Sequence, residues 1–468
     1  MKQTRNAECG MGNRWVLSLG AMLALTPILG AQTSLSIYSD GRVVVRKTLP
    51  QALQKGTNSI TLRLDNLDPA TLFSPDSSVT VVSVVTRLPT DRAAALQRAA
   101  GQTLSFVRAK GDTVRATVMS VNPPQYKLTD GRVLLSEPGE PLFPPEQIRA
   151  TAEESVVLAA SRARSRTDLA YVSAGAHWEA TYQAILGKSA LVSGQATITS
   201  GGLRADSAAV QLVAGSVNYA RRPMADELAP QARPQLKAVT VGAMGMPLAE
   251  AVGETHVYEL PGRLSIDPDV PLTVALFDRT TSPFIEEFVV PGVLPWRGYF
   301  GPQPTDPTAV PVQVWYTFRR ARGGAFGDRP LPAGTVQLYQ ADSAGRVQLV
   351  GEAAIDHTPA GKDVRVQSGD AFDVTAERVQ TDYNQEQIPP VKRGMPSRQR
   401  VTASYRVTLT NAKPDSVTVD VRETHFGTWQ ITESSVPPEK LSSTESRFRV
   451  KVPANGTATL TYTVQVES

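Results

Sequence analysis

The stretch TATLTYTVQVE, Thr457 to Glu467, alternates without interruption. Ala458, Leu460, Tyr462, Val464 and Val466 fall on one side, and Thr457, Thr459, Thr461, Thr463 and Gln465 on the other. Successive side chains of an extended strand point to opposite faces, so this pattern predicts a strand with one face buried and one in water. No helical period fits it.

Just upstream, Phe448, Val450 and Val452 alternate with Arg447, Arg449 and Lys451, and Asn455-Gly456 between the two runs is a strong hairpin-turn signal. Val401, Ala403, Tyr405, Val407 and Leu409 form another such face, followed after the Asn411 to Ser416 turn by Val417, Val419 and Val421. Together these strands predict a C-terminal β-sandwich of immunoglobulin-like type over 398–468, without the Cys-Trp-Cys signature of antibody domains.

The same punctuation recurs upstream. Asp40-Gly41 and Asp130-Gly131 read as hairpin turns, and Asp342 to Gly345 as a longer one. The fold class expected is therefore mostly β, built from several antiparallel β-sandwich or barrel domains. Residues 32–150 are expected to form an N-terminal β domain, with a short helix over Thr90 to Ala100 stopped by Gly101 and a small barrel over 101–142. Residues 151–397 form the expected central part. Within it, 220–254 shows no sustained period and reads as a mobile linker or loop, whose methionines also suit an adaptable binding surface. Gln385 to Gln399, with Pro389, Pro390 and Pro396, reads as an exposed loop joining the last two domains.

The first 31 residues read as a secretory signal. Lys2, Arg5 and Arg14 precede an apolar run from Trp15 to Gly30, with cleavage expected after Ala31. That run is 16 residues long, short of the roughly 20 needed to span a bilayer, so no transmembrane segment is expected in the mature chain. Cys9 is the only cysteine and would leave with the signal, which excludes disulfides, thiolate metal sites and a cysteine nucleophile. The 48 basic and 44 acidic residues are spread along the chain rather than gathered in a basic stripe, so nucleic acid is not an expected partner.

The mature chain's histidines, His177, His256, His357 and His425, are isolated from one another, and no HExxH, GxSxG, P-loop or GxGxxG is present. No catalytic residue, cofactor or metal site is assigned. Asp356-His357-Thr358-Pro359, with Asp370, Asp373 and Asp382 following, could orient and charge an imidazole, but reads first as turn chemistry between GEAAI and KDVRV. Glu423, His425 and Trp429 make a second polar and aromatic group, at the end of a strand where edge pairing and packing are the plainer roles. Trp178 and Tyr182 share one strand face, as core packing or as a platform for a sugar or peptide. The sequon Asn455-Gly456-Thr457 is accounted for by its turn.

The segments AHWEATYQAIL, GQATITS and VQLVAGSVN (176–218), HVYELPGRLSI (256–266) and LPAGTVQLYQADSAGRVQLVGEAAIDHTPAGKDVRVQSGDAFDVTAERVQTDY (331–383) resemble a bacterial family called domain of unknown function 4139. YRVTLTNAKPDSVTVDVRE (405–423) and VKVPANGTATLTYTVQV (450–466) complete the likeness. VVVRKTLPQALQKGTNSITLRLDNLDPATLFSPDSSV (43–79) resembles the strand domain that often precedes the family, with its long coiled coil reduced to the Thr90 helix. The resemblance implies an exported, β-rich envelope protein and carries over no reaction and no catalytic residue. The function expected is a non-enzymatic interaction or scaffold module whose partner is an envelope protein or a glycan. The alternatives are a glycan or peptidoglycan binder using Trp178, Tyr182 or Trp296, and a hydrolase centred on Asp356 and His357.

Overall fold

The computed structural model describes residues 32–64, 66–215, 217, 248–292, 301–303, 306–324, 326–389 and 398–467. The expected signal, most of the 220–254 segment and Trp296 lie outside them. Strands make up most of these residues, arranged as several antiparallel and mixed sheets, with one short α-helix.

Three hydrophobic cores organise the sheets. The largest gathers Leu35, Ile37, Val43 and Val45 from the first hairpin with Trp178, Tyr182, Leu212, Tyr258 and Leu338. It joins what the sequence divides at 150. The strand Gln32–Tyr38 pairs antiparallel with Arg42–Leu49 across the Asp40-Gly41 turn and parallel with Ala205–Ala214, setting Leu35 beside Val210. Arg42–Leu49 in turn pairs with Thr167–Ala174. The N-terminal strands thus complete a sheet with strands from beyond residue 150, because the apolar face of a lone hairpin needs a partner layer. Beside this sheet lie a five-stranded one, carrying Ala176–Leu186 at its centre, and a three-stranded one of Gly56–Leu62, Glu153–Ala160 and Val79–Arg87.

The second core is the C-terminal sandwich. One layer has six strands and includes Phe284–Val290, Gln313–Phe318, Val417–Thr424 and Glu445–Val452; the other has five, including Val374–Ile388, Arg398–Asn411 and Gly456–Glu467. The expected boundary at 398 falls inside a hairpin, since Val374–Ile388 and Arg398–Asn411 pair along their whole length, from Val374–Asn411 to Ile388–Arg398. Gln385–Ile388 and Arg398–Gln399 are accordingly strand rather than loop, and residues 390–397 lie outside the described set. Asn455-Gly456 corrects a second expectation. The strand before it belongs to the six-stranded layer and the strand after it to the five-stranded layer, so the turn is a corner between layers, with Asn455 at φ 46° and its N–H donated to Lys413 O at 3.0 Å.

The third core is small: Leu96, Ala99, Leu104, Phe106, Ala116, Val118 and Tyr126. It fills the module inserted between Val79–Arg87 and Glu153–Ala160, which are antiparallel neighbours. The helix runs Arg92–Arg98, capped by the Asp91 carboxylate accepting the Ala94 N–H at 2.7 Å. Where a barrel was expected there is an open five-stranded sheet, because its outer strands Val133–Leu134 and Glu140–Leu142 do not pair. In the segment expected to be a loop to 254, a strand begins at Leu248–Val252 and pairs with Thr255–Glu259.

Candidate functional site

Inside the C-terminal sandwich the alternation that makes the core continues past its apolar residues. Val374 and Ala376 are followed inward by Arg378 and Gln380, and in the facing layer Val419 and Val421 are followed by Glu423 and His425. Two layers that meet through apolar side chains over most of their area therefore meet at one end through four polar ones. Burial forces these to find partners.

Arg378 Nη2 lies 2.9 Å from Glu423 Oε2, with the two side chains 11% and 5% exposed, and donates to Tyr462 Oη at 3.1 Å. Its guanidinium lies 4.3 Å from the centre of the Tyr405 ring, which stacks at 5.3 Å on Tyr462. Gln380 donates Nε2 to Tyr405 Oη at 3.1 Å and accepts the Gln303 N–H at 2.7 Å. His425 pairs Nε2 with Ser446 Oγ at 2.8 Å and packs on Trp429 at 4.4 Å, and Trp429 donates Nε1 to Ser443 O at 2.6 Å.

The electrostatics follow from burial. Burial opposes the charge on Arg378, but the Glu423 carboxylate beside it prevails and raises its pKa. Burial pushes the Glu423 carboxyl up while Arg378 pulls it down. His425 is lowered to about 4, first by burial and then by Arg378, so it is neutral across the physiological range. These groups border a cavity of about 50 Å³, which has room for a few water molecules and not for a sugar ring. Arg378 lines it, and its Nε has no hydrogen-bond partner among the described residues.

The other predicted groups are placed differently. Trp178 and Tyr182 are each 2% exposed. Trp178 donates Nε1 to Val213 O at 3.3 Å, and Tyr182 donates its hydroxyl to Pro332 O at 2.9 Å and stacks on Phe277 at 6.2 Å. Neither ring presents a face to a ligand, which corrects the platform expectation. Asp356 and His357 are exposed at the connection after Val347–Ile355, where His357 Nδ1 accepts the Ala333 N–H at 3.1 Å and Thr358 bridges to Leu331. Asp370 ends Val364–Asp370 in the six-stranded layer, and Asp382 sits exposed on Val374–Ile388 in the five-stranded one. No hydrogen bond or ion pair joins Asp356, His357, Asp370 and Asp382 among the described residues. The sequence does not single out Arg320, which is 1% exposed. It donates to the carbonyls of Phe326, Pro359, Lys362 and Arg329, and so ties the loop after Gln313–Phe318 to the turn that carries His357.

Among the described residues no group of three His, Asp or Glu is arranged to hold a metal ion, and no helix is long and apolar enough to cross a membrane. No family model matches the chain, and no curated protein matches it.

Proposed function

We propose that this chain is an exported, non-catalytic interaction module of a bacterial envelope. The basic residues and apolar run before Ala31 support export. The resemblance of 176–466 to the domain of unknown function 4139 family supports the envelope setting. The observation that carries the non-catalytic reading is where the reactive side chains are used. Arg378 and Glu423 neutralise each other inside the sandwich, His425 is held neutral against Ser446, Arg320 is spent on four carbonyls, and His357 accepts a backbone N–H. These five side chains are engaged in holding the fold.

Crosslinking in native envelope preparations, followed by recovery of the protein, is the direct test. Recovery of a specific envelope partner is the expected result. Hydrolysis of an envelope polymer by the purified protein, abolished in a His357→Ala variant, would replace this proposal with the hydrolase alternative. The glycan-binding alternative loses Trp178 and Tyr182 to the core, and rests on Trp296 alone.

A further inference from the structure

We infer that the exported chain carries a modified end: Gln32, once the leader is cut after Ala31, closes on itself to an N-terminal pyroglutamate. The inference rests on the export reading above, because the ring can form only when the Gln32 nitrogen is released from its peptide bond to Ala31. The freed α-amine then attacks the side-chain Cδ and closes a five-membered lactam. The N–Cδ bond forms, the Cδ–Nε2 bond breaks, and Nε2 leaves as ammonia with the proton that the amine gives up. The step therefore needs no water, oxidant or further reactant.

Gln32 stands where this closure is open to it and where the product suits the surroundings. It is exposed at the first position of Gln32–Tyr38, opposite Thr48, and its side chain makes no hydrogen bond among the described residues. The next residue is already held in the sheet: Thr33 lies opposite Lys47, and its carbonyl accepts from Arg263 Nη2 at 3.5 Å. Amine and carboxamide thus sit side by side in water at the head of a paired strand. The charges nearby are mostly positive. Arg46 and Arg263 line the same shallow depression as Gln32 and Thr48. Asp168, the carboxylate in the Gln32–Thr48 row, lies one strand further on and accepts the Thr48 hydroxyl. A free α-ammonium would add a cation beside two guanidinium groups, whereas the lactam is uncharged and offers their N–H donors a carbonyl acceptor. Ring closure consumes only the amine and the carboxamide, so the backbone carbonyl of Gln32 keeps its place in the ladder.

Expression of the full chain with its leader in a Gram-negative host tests this, by intact mass and N-terminal peptide mass spectrometry of the protein recovered from the periplasm or the medium. The expected N-terminal peptide begins at Gln32, is lighter than the unmodified peptide by the mass of one ammonia, and resists Edman degradation until treated with pyroglutamyl peptidase. A Gln32→Ser variant is expected to be cut at the same bond and to keep a free amine, which assigns the lost ammonia to Gln32 rather than to an asparagine elsewhere. A mature chain that begins at Gln32 and still has a free amine after prolonged incubation at neutral pH overturns the inference and leaves the export reading standing. A chain that keeps its leader overturns both. A chain exported but cut at another bond overturns the inference and the cleavage site, and leaves export itself standing.

Discussion

Arg378 and Glu423 come from facing layers of the sandwich and meet where both are almost out of water. An ion pair so placed contributes little net stability, but removing one member leaves a buried charge uncompensated. Glu423→Gln is therefore expected to lower the unfolding free energy by about 3–5 kcal/mol in urea titrations, and the double variant Arg378→Met, Glu423→Leu to be more stable than Glu423→Gln alone. His425 gives a pH dependence of known sign. Its folded pKa of about 4 lies below the ordinary value, so the unfolded chain takes up a proton first as pH falls. Stability is fully present above about pH 6.5 and is lost as pH falls toward 4, by on the order of 3 kcal/mol at most from this group. Glu423, raised by burial, works in the opposite direction, gaining stability as pH falls. The difference in slope between wild type and His425→Gln across that window isolates the histidine, and equal slopes would contradict its neutral burial. Glu423, His425 and Trp429 were legible as a group because they lie close together in sequence. Arg378 was not, because its partners are on other strands and its inward position follows only from the register with Val374 and Ala376.

Single elements were legible wherever one local signal suffices. Asp91, the alanines after it and Gly101 mark the helix, and the structure returns it as Arg92–Arg98 with the Asp91 cap in place. Asp91→Ala is expected to cost about 1 kcal/mol and to show in thermal melts of the intact protein. Asp40-Gly41, Asp130-Gly131 and Asp342–Gly345 turn between paired strands as predicted, each with its glycine at positive φ. Asn455-Gly456 has the same local chemistry and joins two layers instead. A tight turn fixes a change of direction, while the packing of Leu460 and Phe448 into one core decides which layer each strand enters. Gly351 marks another long-range constraint. A Cβ there would lie 2.6 Å from the Cα and Cβ of Ser368, where Val347–Ile355 crosses Val364–Asp370. Gly351→Val is expected to destabilise by about 1–3 kcal/mol in urea titrations, since neither backbone can withdraw without disturbing a sheet.

On the scale of the whole molecule the inserted module should be separable from the rest. Its entry and exit are held together by Thr90 N–H to Arg149 O at 2.9 Å and Arg149 N–H to Thr90 Oγ1 at 3.1 Å, and its core is its own. Replacing 92–147 by a short glycine-serine link is expected to leave cooperative unfolding of the remaining chain intact by circular dichroism. Loss of that transition would mean the module supports the main core. The converse holds for 32–150 as a unit, because Leu35, Ile37, Val43 and Val45 are buried against strands from beyond residue 150. The sequence by itself determined the β class, the inward side of strands such as Gly456–Glu467 and the positions of turns such as Asp40-Gly41, Asp130-Gly131 and Asp342–Gly345. A period of two and the chemistry of Gly, Asn and Asp act within a few residues. Only the tertiary structure decided that the first hairpin joins the central sheet, that the sandwich draws in strands from 284 onward, and that Trp178 and Tyr182 are core. Those outcomes depend on which strands pair across long stretches of chain, and alternation leaves every buried face with many equally apolar partners.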